Sequence, residues 1–155
     1  MNKSSLSLLI AFIFLSSCGT AKPLEPIPQP LASASGYWNV KLTQSGGIAG
    51  VLLTVEVSSD GQLKAEDQRS QRNASKILPS QTTAELEGLV INAIVSTNRV
   101  PQSACADCFI YDLEIHSGDK IIQIHVDDAT INDSSAQGLI TTLLKIRDEA
   151  LNPTP

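Results

Sequence analysis

Cys105-Ala106-Asp107-Cys108 is the tightest pairing of reactive groups in this chain of 155 residues. Two thiols at that spacing serve thiol–disulfide exchange, metal ligation or a local structural disulfide. Exchange sites use a helix N-terminus to lower one thiol's pKa, but Phe109–Ile115 alternates apolar and polar residues as a strand does. A structural zinc takes four ligands. His116 and His125 are the only histidines, and His116 lies about 26 Å of strand beyond Cys108. A local disulfide is therefore the expected state outside the cytoplasm, with thiol-redox or metal binding as the alternatives.

Three other groupings invite chemistry. Ser45-Gly46-Gly47-Ile48-Ala49-Gly50 resembles a phosphate cradle in composition. No Lys-Ser or Lys-Thr follows it, and a strand follows where an anion-binding helix would begin. The bland reading is a Gly-rich hairpin loop, and its glycines imply an unusual backbone path or a close approach by another chain segment. Asp112 and His125 face each other if a hairpin forms, as half of an acid–base pair, but no Ser sits in a strained elbow to serve as nucleophile. A solvated ion pair is the simpler reading. Asp127-Asp128 points to opposite faces of a strand and makes a poor cation site. No active site assembles, so a non-enzymatic protein is expected, with no cofactor and no metal.

The third cysteine, Cys18, belongs to an address. Lys3 precedes the apolar run Leu6–Leu15, which is too short to span a bilayer but suits a signal-peptide core. Leu15-Ser16-Ser17-Cys18 resembles the bacterial lipobox, in which the thiol receives lipid after cleavage before it. The reading is a signal peptide over 1–17, lipid on Cys18 and two acyl chains to hold it. Gly19 stands where Asp would retain a lipoprotein at the inner membrane. The expected location is the cell envelope, lipid-anchored and extracytoplasmic, and the outer membrane where the host has two. Residues 18–36 carry Pro23, Pro26, Pro28 and Pro30, then Leu31-Ala32-Ser33-Ala34-Ser35-Gly36, and read as an extended stalk. Net charge of −5 excludes a nucleic-acid partner, because phosphate contacts need clustered Lys and Arg.

These groups need positioning elements, and alternation supplies most of them. Trp38, Val40 and Leu42 fall on one face of a strand, and Val51, Leu53, Val55 and Val57 on one face of the next. Asp60-Gly61 signals a hairpin of type I′, with Gln62–Asp67 returning and Asn73–Leu78 as a further short strand. Thr82-x-x-Glu85 has capping-box spacing for a helix over Thr83–Val95. Phe109–Ile115 and Ile122–Val126 flank a two-residue turn at Gly118-Asp119. That register sets Ile115 against Ile122, Leu113 against Ile124, Tyr111 against Val126 and Asp112 against His125. Asp133 is placed to cap a last helix carrying Ala136, Leu139, Ile140, Leu143, Leu144 and Arg147 on one stripe. The predicted class is α+β over residues 37–150, with a tail at 151–155. It is an antiparallel sheet of four to six strands with two helices, in the order ββ(ββ)αββα.

The Ser45–Gly50 string, the strand after it, the leucine-rich helix, the Tyr111–Val126 hairpin, Asp128 and the final helix together resemble the emfourin family. These are small protein inhibitors associated with protealysin, a thermolysin-like metallopeptidase. The resemblance covers about Val40–Ile146, and its sharp part is the six-residue Gly loop. It implies a domain that binds such a metallopeptidase and blocks its cleft, with Ser45, Gly46, Gly47, Ile48, Ala49 and Gly50 as the contact loop. The chain departs from the family in its anchor and stalk, in the C-x-x-C and in Asn73–Leu78. An envelope interaction or structural lipoprotein with another target is the alternative function.

Overall fold

The computed structural model describes residues 36–96 and 105–153. The signal segment, Cys18 and the stalk up to 35 lie outside the described residues, as do the loop around Pro101 and the last two residues. The described chain is an α+β fold: β1 (Trp38–Gly46), β2 (Val51–Ser58), β3 (Gln62–Asp67), β4 (Arg72–Ile77), α1 (Ser80–Val95), β5 (Phe109–Ser117), β6 (Lys120–Asp127) and α2 (Gln137–Leu151). The strands form one six-stranded sheet in the order β4-β3-β2-β1-β5-β6, with every neighbouring pair antiparallel.

Alternation explains why one face of this sheet is covered. Val40 and Leu42 of β1, Val55 and Val57 of β2, Leu63 of β3, and Leu113 and Ile115 of β5 are buried beneath the helices. Leu86, Val90 and Ala93 of α1, and Leu139, Ile140 and Leu143 of α2, close the core from the other side. Each fully buried Leu or Val contributes roughly 1.5–3 kcal/mol relative to an exposed one. The opposite face carries Asn39, Lys41, Thr43, Glu56, Lys64, Asp112, Glu114 and His125, which the helices leave uncovered.

The β5–β6 hairpin has the expected register, Ile115 with Ile122, Leu113 with Ile124, Tyr111 with Val126 and Asp112 with His125. The other local signals resolve differently. At Asp60-Gly61 only the glycine has positive φ, 82°. Ser59, Asp60 and Gly61 form a three-residue loop rather than a type I′ pair, because the Asp60 carboxylate folds back to accept from the Gln62 amide at 3.1 Å. Helix α1 starts at Ser80, before Thr82, so no capping box forms. Pro79, with ψ of 145°, leads directly into the helix, and the Thr83 hydroxyl donates to the Pro79 carbonyl instead. Asp133 ends a short 3₁₀ turn, and α2 begins beyond it, where Ser134 Oγ accepts from the Ala136 amide. Leu151 is the buried last residue of α2 and not part of a tail.

Candidate functional site

β1 runs through Ser45 and Gly46, so the tip of the β1–β2 hairpin is the four residues Gly47–Gly50. On the other side of β1 the register continues through Ser45–Ile110 to Gly46–Phe109. The Gly loop and the C-x-x-C, 55 or more residues apart in sequence, therefore meet at one end of the sheet. The Gly47 amide donates to the Cys108 carbonyl at 3.2 Å. Gly46 has φ of 89°, and a Cβ there would sit 2.8 Å from the Cys108 carbonyl oxygen. Gly47 has φ of 67°, and its Cβ would fall 2.5 Å from the Phe109 ring. Both positions combine a left-handed backbone with no room for a side chain, which explains why glycine occupies them. The segment that comes close is the strand start at Cys108-Phe109.

The loop is braced from its other side too. Arg69 Nη1 donates to the Ala49 carbonyl, and Gly50 N donates to Gly47 O at 3.0 Å. Ile48 stands at the tip with 93% of its surface exposed. Cys105 and Cys108 have disulfide geometry, with Cα atoms 5.6 Å apart, just before β5.

Asp128, the residue that follows β6, pins the same end. Its Oδ2 accepts from the Phe109 amide and its Oδ1 from the Tyr111 hydroxyl, both at 2.8 Å. Burial of the Tyr111 phenol, reinforced by the Asp128 carboxylate it donates to, pushes its pKa up to about 12. Beside Tyr111 on β1 lies Gln44, whose Oε1 accepts from the buried Arg147 guanidinium at 2.7 Å. Arg147 also holds Asp148, through Nε at 2.9 Å and Nη2 at 2.8 Å. Asp127 is engaged separately, its Oδ1 accepting from Thr130 Oγ1 at 2.8 Å. The adjacent carboxylates thus serve two different hydrogen-bond sets.

Asp112 and His125 do meet, Oδ1 to Nδ1 at 2.6 Å, on the uncovered face of the sheet. Both side chains are more than half exposed. They line a shallow concavity with Lys41, Thr43, Glu114 and Gln123. Glu114 accepts from His116 Nε2 at 2.6 Å and from the Gln123 amide at 3.1 Å, and these bonds, His116 first, hold its carboxyl below the usual range. Exposed pairs of this kind orient side chains but contribute little stability.

Among the described residues no three His, Cys, Asp or Glu side chains converge to hold a metal ion. No described helix is long and apolar enough to cross a membrane. Arg69 and the Tyr111–Asp128 bond are parts of this end of the sheet that sequence reasoning did not assign. Arg69 sits in a polar turn without a motif. The signal for the second was the Tyr111–Val126 register, which leaves Asp128 two residues past Tyr111's partner. The chain matches no known family model and no curated protein sequence.

Proposed function

We propose that this chain is a membrane-anchored lipoprotein whose domain binds a protein partner without chemistry of its own, and that the partner is a thermolysin-like metallopeptidase held in an emfourin-like manner. One observation supports this above the others. The Gly47–Gly50 tip projects an almost fully exposed Ile48 from a hairpin braced by Cys108 and Phe109 on one side and Arg69 on the other. A pre-ordered tip with one apolar side chain enters a narrow cleft at low entropic cost.

The test is a titration of the purified, detergent-solubilised chain against several thermolysin-like peptidases, with Ile48→Asp alongside. Stoichiometric inhibition by the wild type that Ile48→Asp weakens at least tenfold is the expected result. No inhibition of any of them would defeat the inhibitor reading. The anchor is tested separately: Cys18→Ala should abolish lipid labelling and release the protein from washed membranes, and unchanged membrane retention would refute it.

A further inference from the structure

The sheet has two edges, and they are built differently. β4 carries Arg72, Asn73, Ser75 and Lys76 along its length, with an exposed Ile77 only at its last position, and the Arg72 guanidinium folds onto Asp67 at 3.0 Å. Charged and polar side chains of this kind blunt an edge against pairing with another strand. β6 reads Lys120-Ile-Ile-Gln-Ile-His-Val-Asp127, with its one lysine at the first position. Ile121 is 62% exposed, and no described strand pairs with the outer side of β6.

The direction of each backbone group on β6 follows from the hydrogen bonds at its far end. The Asp128 amide donates inward to the Phe109 carbonyl of β5. Strand alternation then turns the amides and carbonyls of Lys120, Ile122, Ile124 and Val126 toward β5, and those of Ile121, Gln123, His125 and Asp127 outward. Asp127 is already satisfied, since its amide donates to Thr130 Oγ1 at 3.0 Å and its carbonyl accepts from the Thr130 amide at 3.1 Å. Among the described residues, the outward backbone groups left for another chain are those of Ile121, Gln123 and His125, a set symmetric about Gln123.

We propose that β6 pairs with β6 of a second copy of this chain, antiparallel, about a twofold axis at Gln123. That register sets Ile121 against His125 of the other copy and Gln123 against its own counterpart. Three pairs that each exchange two bonds give about six backbone hydrogen bonds. On the helix-covered side it sets Ile122 against Ile124, both half-buried in the single chain. A shift by one residue would put these isoleucines opposite open-face positions and lose the match. The antiparallel sense also carries each Lys120 to the acidic Asp127-Asp128 end of the other strand, where a parallel sense would stack Lys120 on Lys120. The contact is isologous, so it closes at two copies and joins two sheets into one of twelve strands, twice the six of one chain.

The symmetry makes the test specific. Gln123→Cys in the full chain places a thiol beside its own counterpart only if the axis is there. Treatment with a short bismaleimide should then give several-fold more covalent dimer than the wild type or Ser75→Cys, which marks the β4 edge. Adding His125→Pro removes one outward amide from the edge and should return the dimer to background, with the circular dichroism spectrum unchanged. Dimer from Gln123→Cys no greater than from Ser75→Cys would overturn the proposal. So would a cross-link formed only to a protein of different mass.

Discussion

Replacing Gly46 by Ala tests whether the junction between the hairpin tip and β5 is as tight as its geometry requires. The perturbation has two parts. A left-handed backbone costs an L-residue about 1–2 kcal/mol, reduced by the smaller unfolded-state entropy of Ala. Gly50 carries that cost alone, because it has φ of 58° and no heavy atom lies within 4 Å of where an alanine methyl would stand. About 1 kcal/mol is therefore expected for Gly50→Ala. At Gly46 the new methyl would also sit 2.8 Å from the Cys108 carbonyl oxygen. That oxygen is backbone and already accepts from Gly47, so it cannot swing aside as a side chain would. Overpacking of this kind adds about 1–3 kcal/mol, for a total of about 2–4 kcal/mol. Thermal unfolding followed by circular dichroism reads both variants, with the melting temperature falling roughly 4 °C per kcal/mol in a domain of this size. If Gly46→Ala costs no more than Gly50→Ala, the close approach of β1 to Cys108 is refuted.

Three other outcomes are expected. Replacing Cys105 and Cys108 by Ser should lower stability by about 2 kcal/mol, the loop-entropy value for so short a ring, and speed amide exchange at Gly47; intact-mass analysis without reductant should find the wild-type thiols oxidised. Arg147→Leu should cost about 3 kcal/mol because it orphans the buried Gln44 carbonyl, and the Gln44→Leu/Arg147→Leu pair should cost less than Arg147→Leu alone in the same melts. Tyr111 is held neutral in the folded state to about 12 from an ordinary 10.0, so the fold binds this proton more tightly than the unfolded chain. Its stabilisation is complete below pH 10.0 and is lost as pH rises towards 12; Tyr111→Phe should flatten the alkaline stability profile over that window.

What was legible in the sequence was local. The Gly118-Asp119 turn and the flanking alternation specify the β5–β6 register through to the Asp112–His125 pair, because a two-residue loop leaves the strands no freedom to slip. The pairing of β1 with β5 was not legible, since nothing in Trp38–Gly46 or Phe109–Ser117 names a partner some 70 residues away. For the same reason the glycines at 46 and 47 announced a crowded backbone without announcing what crowds it. Asp60-Gly61 misled because Asp-Gly serves both a two-residue loop and a three-residue loop with glycine last. Thr82 and Glu85 had the spacing of a cap, but Pro79 had already set the chain on its way into α1. Arg147 stood plainly on the apolar stripe of α2, while its partner Gln44 was hidden at the end of an apolar strand.

The position of β1 in the middle of the sheet governs how this protein reaches its native state. β1 to β4 are joined by short loops and form a meander from neighbouring sequence, as β5 and β6 form a hairpin. The β1–β5 ladder must instead close a long loop that contains β2, β3, β4 and α1. Contacts of such sequence separation form slowly relative to local ones. Until β5 docks, the meander presents a second open edge at β1, lined by Trp38, Val40 and Leu42, and competes between finding β5 and finding another unfinished chain. Dilution during refolding should therefore favour the native fold over aggregates, and the Gly47–Cys108 contact at the far end of the ladder belongs to the late part of that closure.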